Sequence, residues 1–117
     1  MRQLVFDRIE EIYSASPEYL WKRFPGYAVF RHENNKKWFA LIADVERIKL
    51  GLKGPGAVYV MNVKINDPVF HDVILNEPGI LPGYHMNKKH WVSVLLDGTV
   101  PEDRVFDLLD MSFEATK

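Results

Sequence analysis

YAVFRH (27–32) and KKWFALIAD (36–44) are two runs rich in β-branched and aromatic residues, separated by Glu33, Asn34 and Asn35. Asparagine tolerates the left-handed backbone that tight turns demand, so the pair predicts an antiparallel hairpin. A hairpin commits this region to a sheet, and the remaining apolar segments have to extend that sheet or cover it. VYVMNVKI (58–65) extends it. Its alternation sets Tyr59, Met61, Val63 and Ile65 on one face and Val60, Asn62 and Lys64 on the other. That pattern marks a half-buried strand with Lys64 directed away from the core. HWVSVLL (90–96) reads as a further strand.

The covering elements have the helical period. In RQLVFDRIEEIYSA (2–15) the apolar positions Leu4, Val5, Ile9, Ile12 and Tyr13 form one stripe, which Ser16 and Pro17 terminate. SPEYLWKRFPGY (16–27) predicts a turn or one helical turn that packs Tyr19, Leu20, Trp21 and Phe24 downward, until Pro25 and Gly26 break it. VERIKLGLKGPGA (45–57) holds three glycines and a proline before its final alanine and is read as irregular. Asp67 followed by Pro68 is a helix start, because the carboxylate caps orphan amides and proline suits the first helical position. In the helix PVFHDVILNE, Val69, Val73 and Ile74 are expected to face inward, and Pro78 and Gly79 end it. A last helix begins near Pro101 with Val105, Phe106, Leu108, Leu109 and Phe113 on its apolar face. The expectation is an α+β domain: one mostly antiparallel sheet built from residues 27–32, 37–43, 58–65 and 90–96, with the terminal helices packed on one face.

A chain of 117 residues supports one core, so a single domain spanning 1–117 is expected. With 47% hydrophobic residues there is ample apolar surface to offset ordering entropy, which argues against intrinsic disorder. The absence of cysteine excludes a disulfide framework, a thiolate zinc site and a thiol nucleophile. MRQLVFDRIEE carries charge from its second residue and offers neither a secretory leader nor a membrane span, so the expected compartment is the cytoplasm. Oligomeric state is open, with a monomer the simpler expectation.

The net charge of −1 hides a strong asymmetry: residues 22–65 carry nine basic side chains against three acids, whereas 97–117 carry two against six. Segregation of this kind can give a nearly neutral protein a positive face, the minimum condition for attracting a polyanion. Solvated strands and loops would produce the same count.

The densest polar stretch is PGYHMNKKHWVSVLLDG (82–98), which sets His85, Asn87, Lys88, Lys89 and His90 against an apolar run. His85 and His90 lie five positions apart, a spacing that suits no helical metal pair, and no general-base glutamate accompanies them. Either imidazole could serve as a general base, but the chain offers no cysteine, no phosphate loop and no dinucleotide fingerprint. Two further readings remain. Asn87 and the histidines could satisfy backbone groups where loop becomes strand. Alternatively Lys88 and Lys89 could join Arg31, Lys36, Lys37 and Lys64 as phosphate contacts, with Asn87 and His85 adding hydrogen bonds. In that arrangement the ribbon tipped by Asn34 to Lys37 would lie in or beside a groove of duplex DNA. Tyr84, Met86 and Trp91 are expected to anchor the strand entry, and a buried Trp91 would make Trp91→Ala cost about 3–5 kcal/mol.

Residues 82–101, PGYHMNKKHWVSVLLDGTVP, resemble the signature of the MmcQ/YjbR family. Tyr84, His85, Met86, Asn87, Lys88, His90 and Trp91 match that motif one by one, and Lys64 matches a lysine of the family's central strand. KKWFALIAD, VKINDP and the terminal VFDLLDMSFEATK resemble the family's other blocks in the same order, so the likeness covers nearly the whole chain. A departure falls at Ser112 and Phe113, where the family usually has serine followed by tyrosine. The resemblance implies a CyaY-like α+β fold and binding to double-stranded DNA, with no established cofactor or catalytic activity. A small-molecule or protein-binding module is the alternative, and an enzyme using His85 or His90 a more distant one.

Overall fold

The computed structural model describes all of residues 1–117. Five strands form one sheet: β1 (Ala28–Arg31), β2 (Trp38–Glu46), β3 (Ala57–Lys64), β4 (Ile80–Pro82) and β5 (Trp91–Leu95). Their spatial order is β1-β2-β3-β5-β4 and every pairing is antiparallel. Three α-helices, α1 (Arg2–Arg8), α2 (Pro68–Ile74) and α3 (Glu102–Thr116), bury apolar side chains in one core on a single face of the sheet. The domain is α+β. No helix is long and apolar enough to cross a membrane.

The core follows from the strand alternation. Ala40 and Ile42 of β2, Met61 and Val63 of β3, and Val92 and Val94 of β5 meet Val5 and Ile9 from the N-terminal helix and Val105, Leu108 and Leu109 from α3. At one end of this core Phe39 is fully buried among Tyr13, Phe30, His32 and Phe113. The register of β1 on β2 shifts between Phe30 and Arg31, so the ladder is irregular where the hairpin turns over this aromatic cluster.

Three of the expected elements differ in detail, and one strand is additional. α1 passes into one π turn (Ile9–Tyr13) and stops at Ser14, whose φ of 53° is left-handed. The buried stripe is narrower than expected: Val5 and Ile9 are buried, while Leu4 and Ile12 face solvent. Asp67 caps α2 as expected, its carboxylate accepting from Val69 and Phe70 amides. The inward face of α2, however, is Phe70, His71 and Ile74; Val69 and Val73 are 72% and 57% exposed. Tyr19, Leu20 and Phe24, expected to pack down, are also exposed. The strand β4 was not anticipated. It lies at a sheet edge, where the missing amide of Pro82 costs the ladder nothing.

The face of the sheet opposite the helices is covered as well. Val60 and Asn62, expected on a solvated face, are fully buried. A second cluster of Ala43, Val45, Val58, Val60 and Leu95 lies there beneath Tyr27, Leu50, Leu52, Leu81 and Tyr84. Loops, rather than helices, supply this cover: the segment before β1, the short 3-10 turn Arg47–Leu50 with its following residues, and the loop between β4 and β5.

Burial lowers the pKa of His32, and Lys37 and Lys117 nearby act in the same direction against a backbone contact to Phe113 and the Glu114 charge. Its Nε2 lies 2.8 Å from the Thr116 hydroxyl, which donates to the Ser112 carbonyl. The unfolded chain therefore takes up a proton at His32 more readily than the native one. That stability is fully present above the unfolded imidazole pKa of about 6.5 and is lost as pH falls from there towards the lower folded value. Thermal melts at decreasing pH should show this decline, and His32→Gln should reduce it.

Candidate functional site

The loop of residues 83–90 is built on a pair of buried polar residues. Asn62 of β3 and Ser93 of β5 are direct cross-strand partners on the loop-covered face. The Ser93 hydroxyl donates to Asn62 Oδ1 and accepts from the Tyr84 amide at 2.8 Å, while Asn62 Nδ2 donates to the Tyr84 carbonyl at 3.0 Å. Both backbone polar groups of Tyr84 are thus satisfied by the sheet, and the loop is drawn over it. Further along, the Asn87 side chain accepts from the Lys89 amide at 2.9 Å and its carbonyl accepts from the Trp91 amide at 2.9 Å. Lys88 Nζ donates to the Gly83 carbonyl at 3.0 Å, closing the loop from the other side. Gly83 packs so closely on the Trp91 backbone that a Cβ would stand 2.9 Å from its carbonyl oxygen. The polar density of this stretch therefore wires the turn into the sheet.

Replacing Asn62 by Ala would strand the Tyr84 carbonyl and one bond of Ser93. An unsatisfied buried group costs about 1–3 kcal/mol, so the variant should lose stability by that order and release amide protection across 83–90 in hydrogen exchange.

The remaining candidates divide sharply. Arg31 is bound through two nitrogens to both oxygens of Glu18, at 2.5 and 2.6 Å, and its charge is already committed. Lys36, Lys37, Lys64, Lys88 and Lys89 take part in none of the side-chain ion pairs. Lys36 and Lys37 are exposed at the β1–β2 tip, Lys36 in a left-handed conformation (φ 61°). Asn35 fixes that tip by accepting from the Lys37 amide at 2.9 Å and donating to the Thr116 carbonyl at 3.0 Å. Lys64 ends β3 opposite Trp91 and is half-buried. Trp91 is half-buried too, so its truncation should cost less than the full core value of about 3–5 kcal/mol.

The pairing of Arg31 with Trp38, Lys64 with Trp91 and Pro82 with Val92 puts the tips of the β1–β2 and β4–β5 hairpins at the same end of the sheet. Only β3 lies between β2 and β5, so the inner strands of the two hairpins are about 10 Å apart. Charge follows the layers: α3 carries Glu102, Asp103, Asp107, Asp110 and Glu114 over the helical face, away from these tips except at its last turn, where Glu114 pairs with Lys117.

His85 and His90 do not converge on a ligand set, and no three acidic or imidazole groups are disposed to hold a metal ion. His90 contributes its carbonyl, which accepts from the Ile65 amide at 2.6 Å. His85, left-handed at φ 59° and solvent-exposed, instead lines with Tyr84 an open depression of about 270 Å³ bounded by residues 23–27, 44–46, Lys49 and Ala57. Sequence reasoning missed this cavity and the Asn62–Ser93 pair; the signal for the latter was one polar residue at an inner position of each apolar strand. Ser112 is likewise structural: its hydroxyl donates to the Phe39 carbonyl at 2.6 Å and accepts from the Lys64 amide at 2.8 Å, just beyond the last β2–β3 pair. Phe113 stacks on Tyr13 at 3.8 Å between centroids.

These features define a small α+β domain whose signature loop is hydrogen-bonded onto its own sheet. The chain belongs to the YjbR family, whose model matches residues 10–115. It is 44% identical to the uncharacterized protein YyaQ of Bacillus subtilis over 116 residues, covering 99% of this chain and 98% of that one. A crystal structure of a Pseudomonas syringae protein superposes with a TM-score of 0.96 at 39% identity, covering 100% of this chain and 99% of that one. A Deinococcus radiodurans protein is more distant, with a TM-score of 0.65 at 27% identity over 92% of this chain and 74% of that one.

Proposed function

We propose that the domain binds double-stranded DNA weakly and without sequence preference, using Lys36 and Lys37 on one hairpin tip and Lys88 and Lys89 on the other. The observation that carries this reading is that four lysines free of ion pairs belong to two turns at one end of the sheet. The separation of about 10 Å between the inner strands is close to the major-groove width of about 12 Å, so two ribbons can approach phosphates on both sides of a groove. Lys64 adds charge between them, and Asn87 is occupied within its own loop. Glu33 is the acid of the first tip and moderates its charge. Lysine ammonium groups are point charges that neutralise phosphate without reading bases, and no free arginine accompanies them at the tips. Two duplexes of equal length and unrelated sequence should therefore bind equally in a fluorescence anisotropy titration. Discrimination of about 1–3 kcal/mol for single base changes would instead indicate base readout and overturn the proposal's sequence independence.

A further inference from the structure

The cavity behind Tyr84 and His85 lies towards the other end of the sheet, where β2 ends and β3 begins, and the DNA reading makes no use of it. Its walls bring together Arg23, Phe24, Tyr27, Asp44, Tyr84 and His85. Arg23 and Asp44, both solvent-exposed, place opposite charges on the lining of one open depression of about 270 Å³, yet they form no ion pair with each other or with any other side chain. At the rim, by contrast, Lys49 and Glu46 pair at 3.9 Å. The depression thus presents one guanidinium and one carboxylate, neither of them in an ion pair.

Several features shape the depression around these groups. A Cβ on Gly26 would stand 2.7 Å from Asp44 Oδ1, so the backbone passes directly beside the carboxylate. Phe24 and Tyr27 stack at 4.7 Å and form an apolar wall. The hydroxyls of Tyr27 and Tyr84 make no hydrogen bond within the chain, and the Tyr27 pKa is raised by burial, by Tyr84 and by Asp44, as expected for acidic groups facing one space. His85, left-handed at φ 59° and solvent-exposed, lies with half-buried Tyr84 along the rim.

We propose that this cavity binds a small zwitterion, an α-amino acid with an apolar or aromatic side chain, its carboxylate on Arg23 and its ammonium on Asp44. A simple anion would meet Asp44 and a simple cation would meet Arg23, whereas a zwitterion satisfies both, and Phe24 and Tyr27 receive its side chain. The volume lies just below the range of about 300–1,000 Å³ typical of drug-sized ligands, as suits a single metabolite.

Titration calorimetry with L-phenylalanine and L-leucine tests this, using phenethylamine and 3-phenylpropionate as analogues that lack one charge. The expected result is saturable binding of the amino acids, about tenfold or more tighter than either analogue, since each loses one charge-assisted hydrogen-bond partner. Arg23→Ala should weaken phenylalanine by about the same factor without weakening phenethylamine, and Asp44→Asn should weaken phenylalanine likewise without weakening 3-phenylpropionate. Melting curves check that both variants are folded. No saturation by either amino acid up to about 1 mM, equal binding of the single-charge analogues, or indifference to both substitutions would each overturn the proposal. Neither residue belongs to the four lysines, so DNA binding by these variants reports on the other site separately.

Discussion

Replacing Phe39 by Ala is expected to lower the unfolding free energy by about 3–5 kcal/mol, the cost of truncating a buried aromatic. Phe39 is fully buried and contacts Tyr13 and Phe113 edge-on, at centroid distances of 5.7 and 5.0 Å. Its carbonyl also receives the Ser112 hydroxyl, so one residue joins the hairpin, the N-terminal helix and α3. Domains of this size are stable by about 5–15 kcal/mol, and the loss would remove a large part of that margin. In urea titration the midpoint should fall while the slope is retained. A change of about 0.5 kcal/mol or less, typical of surface sites, would contradict the packing described for this end of the core.

The second large effect concerns binding. Converting Lys36, Lys37, Lys88 and Lys89 together to Ala removes four positive charges and takes the net charge from −1 to −5. Non-specific DNA affinities, about 10⁻⁴–10⁻⁶ M, rest almost wholly on phosphate contacts, so the quadruple variant should show no binding at low salt. Its stability should be nearly that of the wild type for the three exposed lysines without partners, because such side chains stabilise little. Lys88 additionally closes the loop onto Gly83, and its loss should loosen residues 83–90. Retained binding by the folded variant would assign the interaction to other groups and contradict the reading.

How much of this was legible in the sequence depended on whether a residue acts through its own segment or through distant ones. The four strands at 28–31, 38–46, 57–64 and 91–95 were readable because alternation is local. β4 was hidden by its length of three residues and by a proline that only an edge position accommodates. On α2, Val69 and Val73 mark a stripe by hydropathy, but the buried stripe includes His71, whose Nε2 lies 3.4 Å from the Trp91 carbonyl; hydropathy scores that residue as polar. Asn62 looked like an outward position because the loops that bury that face carry no periodic pattern. For the candidate site, the lysines were visible by identity, but the commitment of Arg31 to Glu18 required the bridge that brings Glu18 beside Val29. The cavity draws on several separate segments, and no spacing rule joins them.

The central claim is that the two hairpin tips bind DNA through phosphate contacts, and the most direct measurement is the salt dependence of anisotropy-detected affinity for one duplex. Each neutralised phosphate contributes about −0.9 to the slope of log affinity against log salt, so four contacts predict about −3 to −4. The Lys36→Ala/Lys37→Ala variant should flatten that slope by about two units while melting like the wild type. A slope unchanged by the double substitution, or no detectable binding at about 20 mM salt, where charges are least screened, would contradict it.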